Sequence, residues 1–354
     1  MLRRTFLIAA SLLAAAGLRA GDPAAELDQR VAELVQAGRF SGSALVAQNG
    51  RVLLAKGYGL ANAELDVPNT KQTRFRLGSV TKQFTAMAIM QLEEQGKLKV
   101  EDPVCKYVPD CPPAWQKITI HHLLTHTSGI PNFTSFPDYT LTMRERSPVG
   151  RTVERFKDRP LRFEPGEKFE YSNSGYILLG YIIEKAAEQD YAVFLQRRIF
   201  EPLGMADTGY DDAAAILKNR ASGYSRRAGA GANAAYIDMT IPHAAGALYS
   251  TVEDLYRWDQ ALYAGKLASQ KAMERIFTPF RNGYAYGWFI ENRDGRRLIH
   301  HGGGINGFSS EIARYPDDKA VVIVLSNYEG GAAAAVARSL AAGLFETRPA
   351  GAPR

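Results

Sequence analysis

Phe75-Arg-Leu-Gly-Ser-Val-Thr-Lys-Gln-Phe84 is the stretch of this 354-residue chain in which a turn becomes a helix. Ser79 opens that helix. Val80, Phe84, Met87, Ala88 and Met90 spread apolar side chains widely around it, as in a central, buried helix. Gly96 stops it where glycine commonly ends helices. A serine at such an entry has an unpaired backbone N–H at the positive end of the helix dipole, which makes half an oxyanion hole. Lys82 lies one turn on and on the same side. A lysine held in a buried turn loses its charge readily and can take the serine proton. Taken alone the pattern is cheap: about one Ser-x-x-Lys arises by chance in a chain this long, and a capping serine beside an unrelated lysine reads equally well.

Two further patterns lie downstream. Tyr171-Ser-Asn173 stands at the start of a helical segment and reads either as a plain cap or as chemistry. In the chemical reading, a phenol between a lysine and another cation acts as a general base with its pKa lowered by those charges, and Asn173 offers an amide to the substrate. His301-Gly-Gly303 follows a strand pattern, and glycine there lets a ligand approach the backbone; the alternative is a tight turn with an exposed histidine.

Outward from these patterns, the spacing predicts a helix over 24–38, a hairpin of Ser43–Ala47 and Val52–Tyr58 around Asn49-Gly50, and helices over 118–125, 173–188 and 191–199. Thr251-Val-Glu-Asp254 is a capping-box pattern opening a helix to Tyr263, and Ser222–Asn233 reads as a loop. Strands are predicted at 286–291, 297–300, 308–315 and 320–326, with a last helix over 331–345. The fold class is therefore α+β. One antiparallel sheet joins the first hairpin to the late strands, helices flank it, and an all-helical lobe is inserted between. The domain runs over 21–346, with the sheet lobe at about 21–78 and 246–346, the helical lobe at about 79–245, and a loose tail over 347–354.

The composition is globular, 46% hydrophobic and 23% charged, which excludes collagen-like and wholly disordered chains. The formal charge of +6 invites a nucleic-acid reading. However, Met1-Leu-Arg-Arg4, an apolar run from Phe6 to Ala16, and Ala20-Gly-Asp-Pro23 describe a secretory signal over 1–20, too short to span a bilayer. Its removal takes three arginines and no acid, leaving 40 basic against 37 acidic residues. No clustered basic face remains, so the expectation is an exported protein, periplasmic or secreted, with a small-molecule or peptide substrate, no nucleic acid, no integral membrane span and no cofactor. Cys105 and Cys111 can close a small loop in an oxidising compartment; the spacing leaves their bonding open. His121, His122 and His126 raise the question of zinc, but no His-Glu-x-x-His accompanies them and no metal is expected.

The three patterns occur in the order Ser-Lys, Tyr-Asn, His-Gly, accompanied by Leu123-Leu-Thr-His-Thr-Ser-Gly-Ile130, Phe163-Glu-Pro-Gly-Glu167, Ala245-Gly-Ala-Leu-Tyr-Ser-Thr251 and His301-Gly-Gly-Gly-Ile-Asn-Gly-Phe308. On these motifs the chain resembles the serine β-lactamase and penicillin-binding protein superfamily, over nearly all of residues 24–346. The similarity is to the branch of class C β-lactamases, D-alanyl-D-alanine carboxypeptidases and related esterases. The resemblance implies Ser79 as nucleophile, Lys82 as its proton-relay partner, Tyr171 as general base and Asn173 as a substrate contact. It places His301 where relatives carry lysine or histidine, with Gly303 and Gly304 beside it, and forms the oxyanion hole from the N–H groups of Ser79 and Gly304. Tyr-Ser-Asn sets the chain apart from class A, whose motif is Ser-Asp-Asn. His301 and Gly302 replace the Lys-Thr of class C, removing a fixed charge and a hydroxyl donor. The expectation is weak or absent β-lactamase activity and an esterase, amidase or D-peptidase. The alternatives are a class C-type β-lactamase, or a non-catalytic penicillin-recognising protein that kept the fold.

Overall fold

The computed structural model describes residues 22–227 and 230–346. The expected leader and tail lie outside the described residues. Six strands make one antiparallel sheet: β1 (Gly42–Gln48), β2 (Arg51–Tyr58), β3 (Phe289–Arg293), β4 (Arg296–Ile305), β5 (Phe308–Tyr315) and β6 (Ala320–Ser326). Their spatial order is β3-β4-β5-β6-β1-β2. The first hairpin does pair with the late strands: β1 lies against β6 in unbroken register from Gly42↔Ser326 to Gln48↔Ala320.

β6, Ala-Val-Val-Ile-Val-Leu-Ser, is buried along its whole length because both faces of the sheet are covered. On one face Ala44, Val46, Val322 and Val324 pack under α1 (Pro23–Gln36) and the last helix, Ala332–Glu346. On the other face Leu45, Ala47, Val321, Ile323 and Leu325 meet the larger core. That core includes α2 (Thr81–Glu94) and α3 (Asn173–Ala187). Every residue of α2 from Thr81 to Leu92 is buried, as its all-round apolar pattern predicts.

Three local expectations are corrected. β4 continues through Ile305, so His301-Gly-Gly303 lies inside a strand and not at its end. The stretch 222–233 is no plain loop: Tyr224–Arg227 pairs with Ala230–Asn233 in a two-stranded ribbon. Thr251 caps its helix by accepting from the Asp254 N–H, but the Asp254 carboxylate turns away to the Asp207 N–H and the Thr208 hydroxyl, so only half of the capping box forms. Cys105 and Cys111 are joined by a disulfide, with Cα atoms 5.2 Å apart.

Candidate active site

Ser79 sits in a single 3-10 turn, Gly78–Val80, that feeds α2. Gly78 has φ +53°, and a Cβ there would come within 2.9 Å of the Gly304 nitrogen. The turn and β4 are thus pressed together. Gly303 makes this contact: a Cβ on it would fall 1.9 Å from the Leu77 carbonyl oxygen, which also accepts from Ser310 Oγ at 2.7 Å. Gly304, by contrast, has open space at its Cβ position and lines the cavity in front of Ser79. The backbone N–H groups of Ser79 and Gly304 are therefore brought to one place by Gly78 and Gly303. Gly303→Ala is expected to push β4 off the turn and slow fluorophosphonate labelling of Ser79 by about 100-fold or more, the effect of losing an oxyanion donor. Labelling at the unaltered rate in a folded variant would refute this.

Lys82 is fully buried, with Nζ 3.0 Å from Ser79 Oγ and 2.9 Å from both Asn173 Oδ1 and the Ala245 carbonyl oxygen. The rings of Tyr171 and Tyr176 flank the amine, with centroids at 4.9 and 5.3 Å. Burial holds its pKa well below the usual lysine value. A neutral amine has two N–H donors and one lone pair. In that form the two carbonyl acceptors would take the donors and leave the lone pair for the Ser79 hydroxyl.

Asn173 is the first residue of α3. Its N–H donates to Asn132 Oδ1 at 3.1 Å and its Nδ2 to Thr134 Oγ1 at 3.3 Å. Ser174 Oγ donates to the Pro131 carbonyl and accepts from the Phe133 N–H. Asn132, Thr134 and Ser174 thus clamp the 131–134 segment onto the start of α3. None of them was singled out in the sequence, though the segment follows the Ser128-Gly129 turn directly.

Tyr171 behaves differently from the expectation. Its hydroxyl is buried without a hydrogen-bond partner, and burial raises its pKa instead of lowering it. Ser79 lies near enough to oppose this in part, but the pair falls short of hydrogen-bond geometry. The second cation that was to lower the pKa is missing. His301 is 3% exposed and lies in an aromatic cluster with Tyr171, Tyr284 and Phe289. Its Nδ1 is 2.6 Å from the Gly302 carbonyl oxygen, which only accepts, so Nδ1 carries the proton and Nε2 accepts from Tyr284 Oη at 3.1 Å. Burial, with Lys82 nearby, pushes its pKa down to about 3. His301 is therefore neutral.

His126 is a further member. Held at φ +56°, it accepts the Ser172 N–H at Nδ1 and lies 4.2 Å, centroid to centroid, from the Tyr171 ring at 34°. It stiffens the backbone on which Tyr171 and Asn173 stand. His121 Nδ1 meets Tyr286 Oη and His122 Nδ1 accepts the Thr119 N–H, so the three histidines of this segment serve separate partners.

The cavity in front of Ser79 measures about 290 Å³. Phe133, Tyr139, Asn173, Ile237, Gly304 and Asn306 are among its walls; His301, Gly303 and Tyr171 are not. Among the described residues no charged side chain lines it. Ser79, Lys82, Tyr171, Asn173 and Gly304 are thus gathered, whereas His301 acts from behind and Gly303 is a packing position. Phe136 packs against the core, and Trp288 and Tyr286 are core residues.

Residues 27–345 match the Beta-lactamase family. Penicillin-binding protein 4* of Bacillus subtilis (strain 168) is 33% identical over 314 residues, covering 82% of this chain and 69% of that protein. The octameric penicillin-binding protein homologue from Pyrococcus abyssi superposes with a TM-score of 0.82 at 31% identity, over 92% of this chain and 78% of that one. The D-amino acid amidase from Ochrobactrum anthropi SV3, solved with D-phenylalanine, does so with a TM-score of 0.81 at 25% identity, over 93% of this chain and all of that one. The sheet, the inserted helices and the Ser79–Lys82 entry to α2 are those of the β-lactamase/transpeptidase fold, and the chain belongs to the Beta-lactamase family, in the class C-related branch of serine hydrolases that includes penicillin-binding proteins, amidases and esterases.

Proposed function

We propose that the protein is an exported serine hydrolase that cleaves esters or amides lacking a carboxylate beside the scissile bond, through an acyl-enzyme. The observation that carries this is the Ser79–Lys82 pair, 3.0 Å apart with burial lowering the amine's pKa, beside a cavity that no charged side chain lines among the described residues. Ser79 Oγ passes its proton to Lys82 Nζ as it attacks the carbonyl carbon, and the oxyanion forms between the N–H groups of Ser79 and Gly304. The Tyr171 phenol, protonated at rest, delivers a proton to the departing group, and the proton that Lys82 took from Ser79 then passes to the Tyr171 phenolate. Water entering at the vacated place reverses these transfers and releases the acid. The disulfide supports the export reading, since such bonds persist in oxidising compartments.

A class C-type β-lactamase is disfavoured because His301, where relatives use lysine or histidine, is neutral and buried, so no cation meets a substrate carboxylate there. The likeness to a D-amino acid amidase supports small D-amino-acid amides as one substrate class. One panel tests the reading: p-nitrophenyl butyrate, D-phenylalanine p-nitroanilide, a D-alanyl-D-alanine peptide and nitrocefin, each with the wild type and Ser79→Ala. Ser79-dependent turnover of the ester or anilide, with nitrocefin at least about 100-fold poorer, is expected from the missing charged hydrogen bond. Efficient nitrocefin turnover would overturn it, and a labelled-penicillin adduct with no turnover of any compound would favour the non-catalytic alternative.

A further inference from the structure

A second cavity, about 480 Å³, opens on the far side of Asn306, which is a wall of both. Its charged lining residues are Arg76 and Arg220, with no acid among them. Both arginines turn to the same carboxylate: Arg76 Nε is 2.7 Å from Asp211 Oδ2 and Arg220 Nη1 is 2.9 Å from Asp211 Oδ1. Asp211 is buried behind them, with its side chain 1% exposed, while Arg220 keeps 31% of its side-chain surface open. Two guanidiniums share this one carboxylate, so the trio carries one net positive charge. Other carboxylates lie around the cavity without lining it: Glu329 accepts from the Gly307 N–H, and Asp212 follows Asp211 in the chain. Asp238 accepts from Thr240 and Tyr236, and Glu64 accepts from Tyr224 and Asn233. Arginine is also suited to the work, because its planar fork matches a carboxylate.

The direction of the cleft decides what reaches this charge. β4 passes His301 and then Gly304 and ends at Ile305, and Asn306 opens the turn that follows. Tyr171, the proton donor to the departing group, lies at the His301 end. The departing group therefore leaves toward His301, and the acyl chain runs the other way, past Ile305 to Asn306. Asn306 is thus two residues along the chain from Gly304. Asn306 Nδ2 donates to the Ala235 carbonyl at 3.0 Å and forms the partition between the two cavities.

We propose that Arg220, with Arg76, forms an anion subsite for a carboxylate at the distal end of the acyl chain, so that the preferred substrates are half-esters or half-amides of longer dicarboxylic acids, or acyl groups of that shape. This rests on the hydrolase reading for its chemistry but not for its binding. The carboxylate that this family's relatives meet near the scissile bond has no counterpart charge here; the charge lies at the opposite end of the acyl path.

The test uses p-nitrophenyl half-esters of succinate, glutarate, adipate, suberate and sebacate, each beside its methyl-capped neutral analogue. In the wild type the acid-to-capped ratio of kcat/KM should rise with chain length and exceed about ten at its best length, as expected for one charge-assisted contact. Added salt should lower the ratio. Arg220→Gln should bring it to one or below, and Arg220→Lys should retain part of it; the ratio is internal to each variant, so a smaller folded fraction does not alter it. Calorimetry on Ser79→Ala gives a readout without turnover: monomethyl suberate should bind, dimethyl suberate should not, and adding Arg220→Gln should remove the binding. Turnover of the capped esters with a ratio below one at every length would overturn the subsite and leave the hydrolase standing. No turnover at all, with Arg220-dependent binding of monomethyl suberate, would overturn the hydrolase and leave the subsite. Neither turnover nor binding would overturn both.

Discussion

Lys82→Arg is expected to slow acylation of Ser79 by about 1,000-fold or more, although it keeps a cation-forming side chain at the same position. General-base catalysis is worth about 10²–10⁴-fold, and an arginine side chain is never free to act as a base in water. The site compounds the loss, since Lys82 lies in a pocket without a carboxylate and is flanked by two phenol rings. A guanidinium placed there faces the desolvation that empties the lysine of its proton, and has no lone pair to offer Ser79. Stopped-flow labelling of Ser79 with a fluorophosphonate measures the step directly. The wild-type labelling rate should also stay high well below the pKa of an exposed lysine, because the amine is already neutral there. Near-normal labelling in Lys82→Arg would refute the neutral-amine base and leave Tyr171 as the proton acceptor.

Acid should unfold the protein steeply. His126, His243 and His301 are each at most 7% exposed, and burial depresses their pKa values from the ordinary 6.5, to about 3 for His243 and His301 and well below 6.5 for His126. A depressed histidine binds fewer protons folded than unfolded, so its contribution is complete above pH 6.5 and is lost as pH falls toward its folded pKa. At pH 4.5 His243 and His301 have each cost on the order of 3 kcal/mol, and His126 adds in the same direction. Glu184, beside His243, works the other way, because burial raises its pKa and its protonation favours the fold in acid. Asp254, whose pKa burial also raises, acts with Glu184, but the two offset only part of the loss, and a domain's whole stability is about 5–15 kcal/mol. Urea midpoints should therefore fall sharply between pH 6.5 and 4.5, with a gentler slope in His243→Gln. A midpoint constant over that range would refute the assignment of three buried neutral imidazoles.

Much of this molecule is legible in its sequence, and the exceptions share a cause. Strands β5 and β6 fall where alternation and apolar runs place them, and the hairpin of β1 and β2 turns at Asn49-Gly50. Ser79, Lys82 and Asn173 meet as the motifs imply. β4 was cut short because Gly302-Gly-Gly304 has no strand propensity; it is a strand because its neighbours, the Leu77 turn and β5, demand it. The ribbon at 224–233 was hidden by a glycine- and alanine-rich composition that suits loops equally well. The Tyr171 pKa differs from the expectation through its environment: residue types announce charges, but only burial shows that the Lys82 pKa is lowered and that His301 is neutral. Arg76 and Arg220 are distant in the chain and become one feature only through Asp211.

The pairing of β1 with β6 has a consequence in time. Gly42 and Ser326 are partners inside the sheet, so the strand that completes both faces of the core is synthesised long after the strand it pairs with. Until it emerges, α2 and its nucleophile have no sheet to rest on, and the Leu77 turn waits for Gly303 of β4. Contacts so distant along the chain make folding slow and late. A ribosome would therefore hold a long, unfinished chain, and the Ser79 site would assemble only after the strands around Gly303 and Ser326 have emerged.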